Sequence, residues 1–148
     1  MAGDSRSGGE TFVVQLRRPK VEVRTGGVVV GGSGSVAFDR VLDRVDWARG
    51  PSAWLEDILK HCAQCEVKPK AGECVIGFQG RLYYYDDGMI YEPSEKYAAC
   101  GTGALVCMGY LAGSYLLPPQ DRVIGAVKHA ALHVPSVGGK VRSVVGQL

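Results

Sequence analysis

Short strand-like segments in this chain come in two groups, and each group is followed by two helix-like segments. The first group runs from Thr11 to Leu16, Lys20 to Arg24 and Val28 to Val30, punctuated by Gly8-Gly9, Pro19, Gly26-Gly27 and Gly31-Gly32. From Ser35 the period changes. Phe38, Val41, Leu42 and Val45 fall at i, i+3, i+4 and i+7, which describes one buried face of a helix. A second helix follows Gly50-Pro51, with Ser52 as its cap and Trp54, Leu55, Ile58, Leu59 and Cys62 as its inner stripe, up to the turn at Lys68-Pro69-Lys70-Ala71-Gly72. The second strand group is a meander: Cys74 to Phe78, Arg81 to Tyr85, an Asp86-Asp87-Gly88 turn, and Met89 to Tyr91 before Pro93. Helices are expected from about Thr102 to Leu117, stopped by Pro118-Pro119, and from about Gln120 to Leu132, with a last strand from Lys140 to Val145. Strand groups separated by helix pairs bury all their faces as two stacked, mainly antiparallel sheets with helices outside. The order therefore predicts an α+β, four-layer αββα sandwich. No repeat or linker divides it, so residues 1–148 read as one domain.

Charge narrows the partners. Seventeen Lys and Arg against 15 Asp and Glu leave a net charge of +2, too small for a polyelectrolyte binder, so nucleic acid is not an expected partner. No run reaches the roughly 18 apolar residues of a membrane span, and Met1 to Arg6 lack the apolar core of a signal peptide. The expectation is a cytoplasmic protein without membrane contact. Five cysteines, an odd number set among apolar runs, read as reduced thiols rather than a disulfide framework. The 21 glycines, in pairs between short apolar runs, point to many tight turns.

Several short motifs, in their order and spacing, resemble proteasome β-subunits and the bacterial proteasome-like peptidases, members of the N-terminal-nucleophile hydrolases. They are Ala2-Gly3-Asp4-Ser5-Arg6, Lys20 sixteen positions after Asp4, and Gly31-x-x-Gly34 at the opening of the first helix. The meander Ile76-Gly77-x-x-Gly80-x-Leu82-Tyr83 and the run Pro93-x-x-x-Tyr97-Ala-Ala-x-Gly101-Thr102-Gly103 complete the set, which spans nearly the whole chain. The resemblance implies a terminal threonine hydroxyl as nucleophile, with Lys20 lowering the pKa of the nucleophile system and Asp4 paired to that lysine. It also implies Gly31 as the backbone donor to the oxyanion at a helix N-terminus, and Thr102 as the hydroxyl that helps position the terminal amine. No cofactor is implied. The implied partners are further copies of the chain in a ring, a peptide substrate and an ATP-driven unfoldase.

Two departures stand out. The family's nucleophile lies about sixteen residues before the aspartate matched by Asp4, upstream of Met1, and Thr11 is internal without an α-amino group to act as base. The chain as given is therefore expected to be inactive as a threonine peptidase, serving as a ring-forming or purely structural interaction subunit. A native upstream threonine would restore peptide-bond hydrolysis. The second departure is Val134-Pro-Ser-Val-Gly138, where the family carries an Asp-x-x-Ser-Gly segment.

Other residues carry competing readings. Cys100-Gly-Thr-Gly103 also resembles the cysteine turn of diaminopimelate-epimerase-type racemases, in which a thiol at a helix N-terminus removes an α-proton. That family needs two opposed cysteines from two similar halves, and this chain offers one half. His61-Cys62-Ala-Gln-Cys65 with Cys74 suggests zinc, but a closed site needs four ligands and Cys62 belongs to an apolar stripe. His129 and His133 stand four apart on a helix without the Glu of a metallopeptidase motif, and read as solvated. Tyr83, Tyr84, Tyr85 and Tyr91 alternate in the meander as half-buried sheet residues rather than a stacking platform.

Overall fold

The computed structural model describes residues 1–3, 6–8, 13–15, 20–137 and 141–143. The described strands are β1 (Ala2–Gly3), β2 (Arg6–Gly8), β3 (Val13–Gln15), β4 (Val21–Val23), β5 (Val29–Gly34), β6 (Gly72–Phe78), β7 (Arg81–Asp86), β8 (Met89–Tyr91) and β9 (Arg142–Ser143). The helices are α1 (Val36–Leu42), α2 (Pro51–Gln64), α3 (Ala104–Gly113) and α4 (Pro119–His133). Strands β4 to β8 form an antiparallel sheet in sequence order, while β1 pairs with β9 and β2 with β3 as separate two-stranded sheets.

Burial along the strands shows which parts of the sheet are covered on both faces. In β5 the consecutive residues Val29, Val30 and Gly31 are buried, and in β6 so are Cys74, Val75 and Ile76. Alternate residues of a strand point to opposite faces, so both faces of the sheet centre are covered. In β7 only Tyr83 and Tyr85 are buried, and the second face opens toward that edge.

Helices α1 and α2 cover the first face. Ser35 caps α1 by accepting the Phe38 amide at 3.2 Å, and Phe38, Val41, Leu42 and Val45 all turn inward as their spacing predicts. Trp54 of α2 is the centre of this core, edge-on to Phe78 and Tyr83. Its indole donates to the Trp47 carbonyl at 3.0 Å, and Trp47 donates in turn to the Leu42 carbonyl at 3.1 Å. Neither indole N–H is buried without an acceptor. Ser52 does not cap α2: Gly50, at φ 84°, leads into Pro51 at the first helical position, whose missing N–H needs no acceptor. Leu59, expected on the inner stripe, is 37% exposed.

The β1·β9 pair lies over the second face, with α4 packed on both its strands and α3 packed on α4. The layers are thus helix pair, five-stranded sheet, short strand pair and helix pair. Both hairpin turns of the meander are type I′, with positive φ at Gln79 and Gly80 and at Asp87 and Gly88. Helix α3 is shorter than its periodicity suggested. It starts after Thr102 and stops at Gly113, because Gly113 and Ser114 are weak helix formers and Pro118 disfavours helical backbone at Leu117. Most of the expected last strand falls outside the described residues. No helix among the described residues is long and apolar enough to cross a membrane.

Candidate active site

A cleft of about 420 Å³ lies between the second face of the sheet and the layer made by β1, β9, α3 and α4. Its sheet wall is built from alternate residues. Gly31 and Ser33 of β5 and Val75 and Gly77 of β6 face it, while their neighbours Val30, Cys74 and Ile76 face the core under α1 and α2. Lys20, half-buried at the entrance to β4, stands on this wall. The opposite wall is the turn Cys100–Gly103 with Leu111, Ala126 and Val127 behind it.

The turn is tied to the sheet at two points, Gly101 and Cys100. The Gly101 amide donates to Glu73 Oε1 at 2.7 Å, and the Tyr84 hydroxyl donates to the other oxygen of the same carboxylate. The Cys100 thiol donates to the Gly31 carbonyl at 3.5 Å. Position 101 needs glycine twice over, since its φ is +92° and a Cβ would lie 2.8 Å from Ser33 Oγ. Beyond it, the Thr102 and Ser136 hydroxyls bond at 2.9 Å on the exposed rim.

Electrostatics distinguish the nucleophilic side chains. Burial, and then the Glu73 carboxylate, push the Cys100 thiol up to about 12, against the pull of a backbone bond from Val75 and of Lys20. Cys100 is thus held protonated, and α3 begins only at Ala104, so the residue is not a thiolate at a helix N-terminus. Burial raises Tyr84 far above its usual range, reinforced by its bond to Glu73. On the α1 side Asp39 is raised by burial and by Asp43, with Lys20 acting in the opposite direction.

Of the residues singled out in the sequence, Lys20, Gly31 and Thr102 line this one cleft, whereas Asp4 lies outside the described residues. Gly31 is not at a helix start. It sits inside β5, paired with Val21 on one side and Val75 on the other. The neighbouring Gly32 amide donates to the Lys20 carbonyl at 3.1 Å, so antiparallel alternation turns the Gly31 amide to the β6 side, into the ladder. The glycine run permits close approach instead: a Cβ on Gly31 would meet Met1 Sδ at 2.6 Å, and one on Gly32 would meet Leu42 at 2.8 Å.

Glu73 was missed in the sequence because a lone glutamate at the start of a strand carries no motif. Its partners Tyr84 and Gly101 lie 11 and 28 residues away. Among the described residues, no three His, Cys, Asp or Glu side chains stand close enough to hold a metal ion. Cys62 and Cys74 are buried in the core, and the His129 and His133 rings meet edge to face with centroids 4.6 Å apart.

No protein-family model matches the sequence, and no curated protein matches it. Solved structures do. Eukaryotic HslV from Trypanosoma brucei superposes with a TM-score of 0.74 at 13% identity, covering 95% of this chain and 88% of that one. BPH from Thiobacillus denitrificans gives 0.74 at 16% identity with the same coverages. The Anbu (Gly-1) mutant from Hyphomicrobium sp. strain MC1 gives 0.71 at 15%, covering 95% of this chain and 72% of that one. The fold is that of a proteasome-type subunit. This proteasome-type fold, shared with N-terminal-nucleophile hydrolases, is what the motif order had implied. Within it, the cleft between the two strand layers is the place where Lys20 and the Cys100–Gly103 turn meet.

Proposed function

We propose that this chain is a self-associating, proteasome-type subunit whose inter-sheet cleft receives an extended peptide. The observation that carries the reading is that Lys20 and the Cys100–Gly103 turn, 80 residues apart in sequence, line one cleft with a largely apolar floor. In this reading Lys20, partnered by Asp4, is the ammonium that favours a deprotonated nucleophile, and the Thr102 hydroxyl helps position the terminal amine. Gly31 contributes room for close approach. Peptide-bond hydrolysis calls for an N-terminal threonine in the cleft. Neither Cys100, whose thiol stays protonated, nor Thr102, bonded to Ser136, replaces it. A form of the chain that carries such a threonine hydrolyses peptides; without it, the subunit binds and assembles.

Self-association is supported by the surface of α3 and of the segment that follows it. Residues 98–120 contain no charged side chain, yet Leu105 is 89% and Leu116 84% exposed. An uncharged, exposed apolar surface of this kind marks an interface. An ATP-driven unfoldase acting on the resulting assembly is the further partner of this reading.

The test combines sedimentation velocity with binding of fluorescein-labelled peptides. Species well above the 15.8 kDa of one chain, dispersed by Leu105→Glu, together with saturable peptide binding, are expected. A 15.8 kDa monomer at tens of micromolar that binds no peptide overturns the reading. A BPH structure contains epoxomicin, and the same compound tests the hydrolytic form: covalent modification is expected only where a terminal threonine is present.

A further inference from the structure

Two thiols stand three residues apart at the end of α2, away from the cleft. Cys62 is 1% exposed within the core, and Cys65 is half-buried and packed against that same core. Both are free thiols. Hydrogen bonds fix the backbone between and after them. The Cys65 amide donates to the His61 carbonyl at 2.9 Å, and the next two amides fold back on the helix, Glu66 to Ala63 at 3.3 Å and Val67 to Cys62 at 2.9 Å. Glu66 takes the left-handed backbone that this helix stop requires, at φ 55°. On a helix, Cα atoms three residues apart are separated by about 5 Å, inside the roughly 4.4–6.8 Å that a disulfide spans. Side chains at this spacing share a face, and the packing of both cysteines on one core cluster agrees. Each feels the other: burial, and then Cys65, raise the pKa of the Cys62 thiol.

We propose that Cys62 and Cys65 form a dithiol modification site that closes reversibly to a disulfide when the chain meets a small disulfide oxidant such as oxidised glutathione. The half-buried Cys65 is the point of entry. Its thiolate attacks one sulfur of the oxidant, which leaves a mixed disulfide on Cys65 and releases one glutathione thiolate. Cys62 then gives up its proton and attacks the Cys65 sulfur. The 62–65 bond forms, the Cys65–glutathione bond breaks, and a second glutathione thiolate departs. The two protons lost by the cysteines end on the two glutathione thiols, and the two electrons reduce the one oxidant molecule. The closure is slow, because the negative end of a helix dipole disfavours thiolates and Cys62 holds its proton firmly. It asks little of the backbone, since the new bond joins two residues of a turn already in place. The oxidised chain therefore keeps its fold and gains a brace at the end of α2. None of this depends on whether the cleft binds peptide.

The experiment incubates the full native chain with oxidised glutathione, blocks remaining thiols with iodoacetamide and digests with trypsin without reduction. Lys68 precedes a proline, so cleavage after Lys60 and Lys70 releases residues 61–70, a peptide with both cysteines and no other. That peptide is expected to lose two hydrogens and take no label, and prior treatment with dithiothreitol should return it to the doubly alkylated form. In Cys62→Ala nothing resolves the mixed disulfide, so the glutathione adduct on Cys65 should accumulate at least about tenfold above its wild-type level. The oxidised wild-type chain should melt higher than the reduced one. Cys62 is a core residue, and the wild-type peptide mass decides the matter even if that variant fails to fold. A wild-type chain that retains the glutathione adduct on Cys65, or whose peptide stays doubly alkylated under native conditions, overturns the proposal. So does a 62–65 disulfide that forms only in unfolding concentrations of urea.

Discussion

The Gly101 amide and the Glu73 carboxylate meet at 2.7 Å, and this contact joins the turn that forms one wall of the cleft to the sheet that forms the other. The same carboxylate accepts the Tyr84 hydroxyl and raises the pKa of the Cys100 thiol. Replacing Glu73 with alanine removes the acceptor of two donors at once. A loss of about 1–3 kcal/mol is expected, since the cost of unsatisfied buried donors exceeds the net gain of an ordinary hydrogen bond. Glu73→Gln keeps an acceptor and should cost less. A purely structural role would leave Cys100 chemistry unchanged. Removal of the negative charge should instead shift the pH profile of Cys100 alkylation toward lower pH in Glu73→Gln, read by mass spectrometry of the iodoacetamide adduct.

Alkaline pH should destabilise the fold, and the sign follows from the thiol. Folding raises Cys100 from an ordinary 9.0 to about 12, so between those values the native chain holds a proton that the unfolded chain has released. Its contribution is fully present below pH 9 and is lost as pH rises toward 12. Cys62, Cys74, Tyr84 and Tyr85 are shifted in the same direction, chiefly by burial. Urea midpoints measured from pH 7 to 11 should hold steady to about pH 9 and then fall. Cys100→Ala should make that fall shallower.

How much of this was legible beforehand depends on the distance over which each signal acts. The α1 stripe, the α2 stripe through Trp54, Ile58 and Cys62, and the Asp87-Gly88 turn are local patterns, and all three stand in the structure. The resemblance sets Gly31, in Gly31-x-x-Gly34, at the opening of the first helix. In fact Gly31 and Gly32 lie in a strand, where missing side chains make room for Met1 on one face and Leu42 on the other. The Glu73 contacts were invisible because they join β6 to a residue of the neighbouring strand and to a distant turn.

Gly72 marks a second close approach, on the core side. A Cβ there would lie 2.1 Å from the Phe38 ring, which stacks on Tyr85 with centroids 5.6 Å apart. Its backbone is extended, at φ −169°, so any penalty is one of packing rather than of backbone conformation. Phe38 is fully buried and has little room to move. Gly72→Ala should therefore destabilise by about 1–3 kcal/mol, the usual cost of overpacking a filled core. A pairing with Phe38→Leu should recover part of the loss, which a double-mutant cycle in urea would measure.

Gly77 offers the opposite case, a glycine whose substitution should block the cleft without harming the fold. It lies in β6 opposite Val29, on the face that lines the cleft, and the nearest atom to an added Cβ is Val29 Cβ at 3.8 Å. That is ordinary contact distance. Glycine in a strand interior costs roughly 0.5–1 kcal/mol of conformational entropy relative to alanine, and β-branched residues suit a strand. Gly77→Val should leave the melting temperature unchanged or raise it. The valine methyls, however, project into the space between Val75 and the opposite wall, where an apolar ligand side chain would rest. Peptide affinity should fall at least tenfold, a loss of about 1.4 kcal/mol, while sedimentation remains that of the parent, because α3 lies on the far wall. Undiminished binding in a stable Gly77→Val variant would place the peptide outside this cleft.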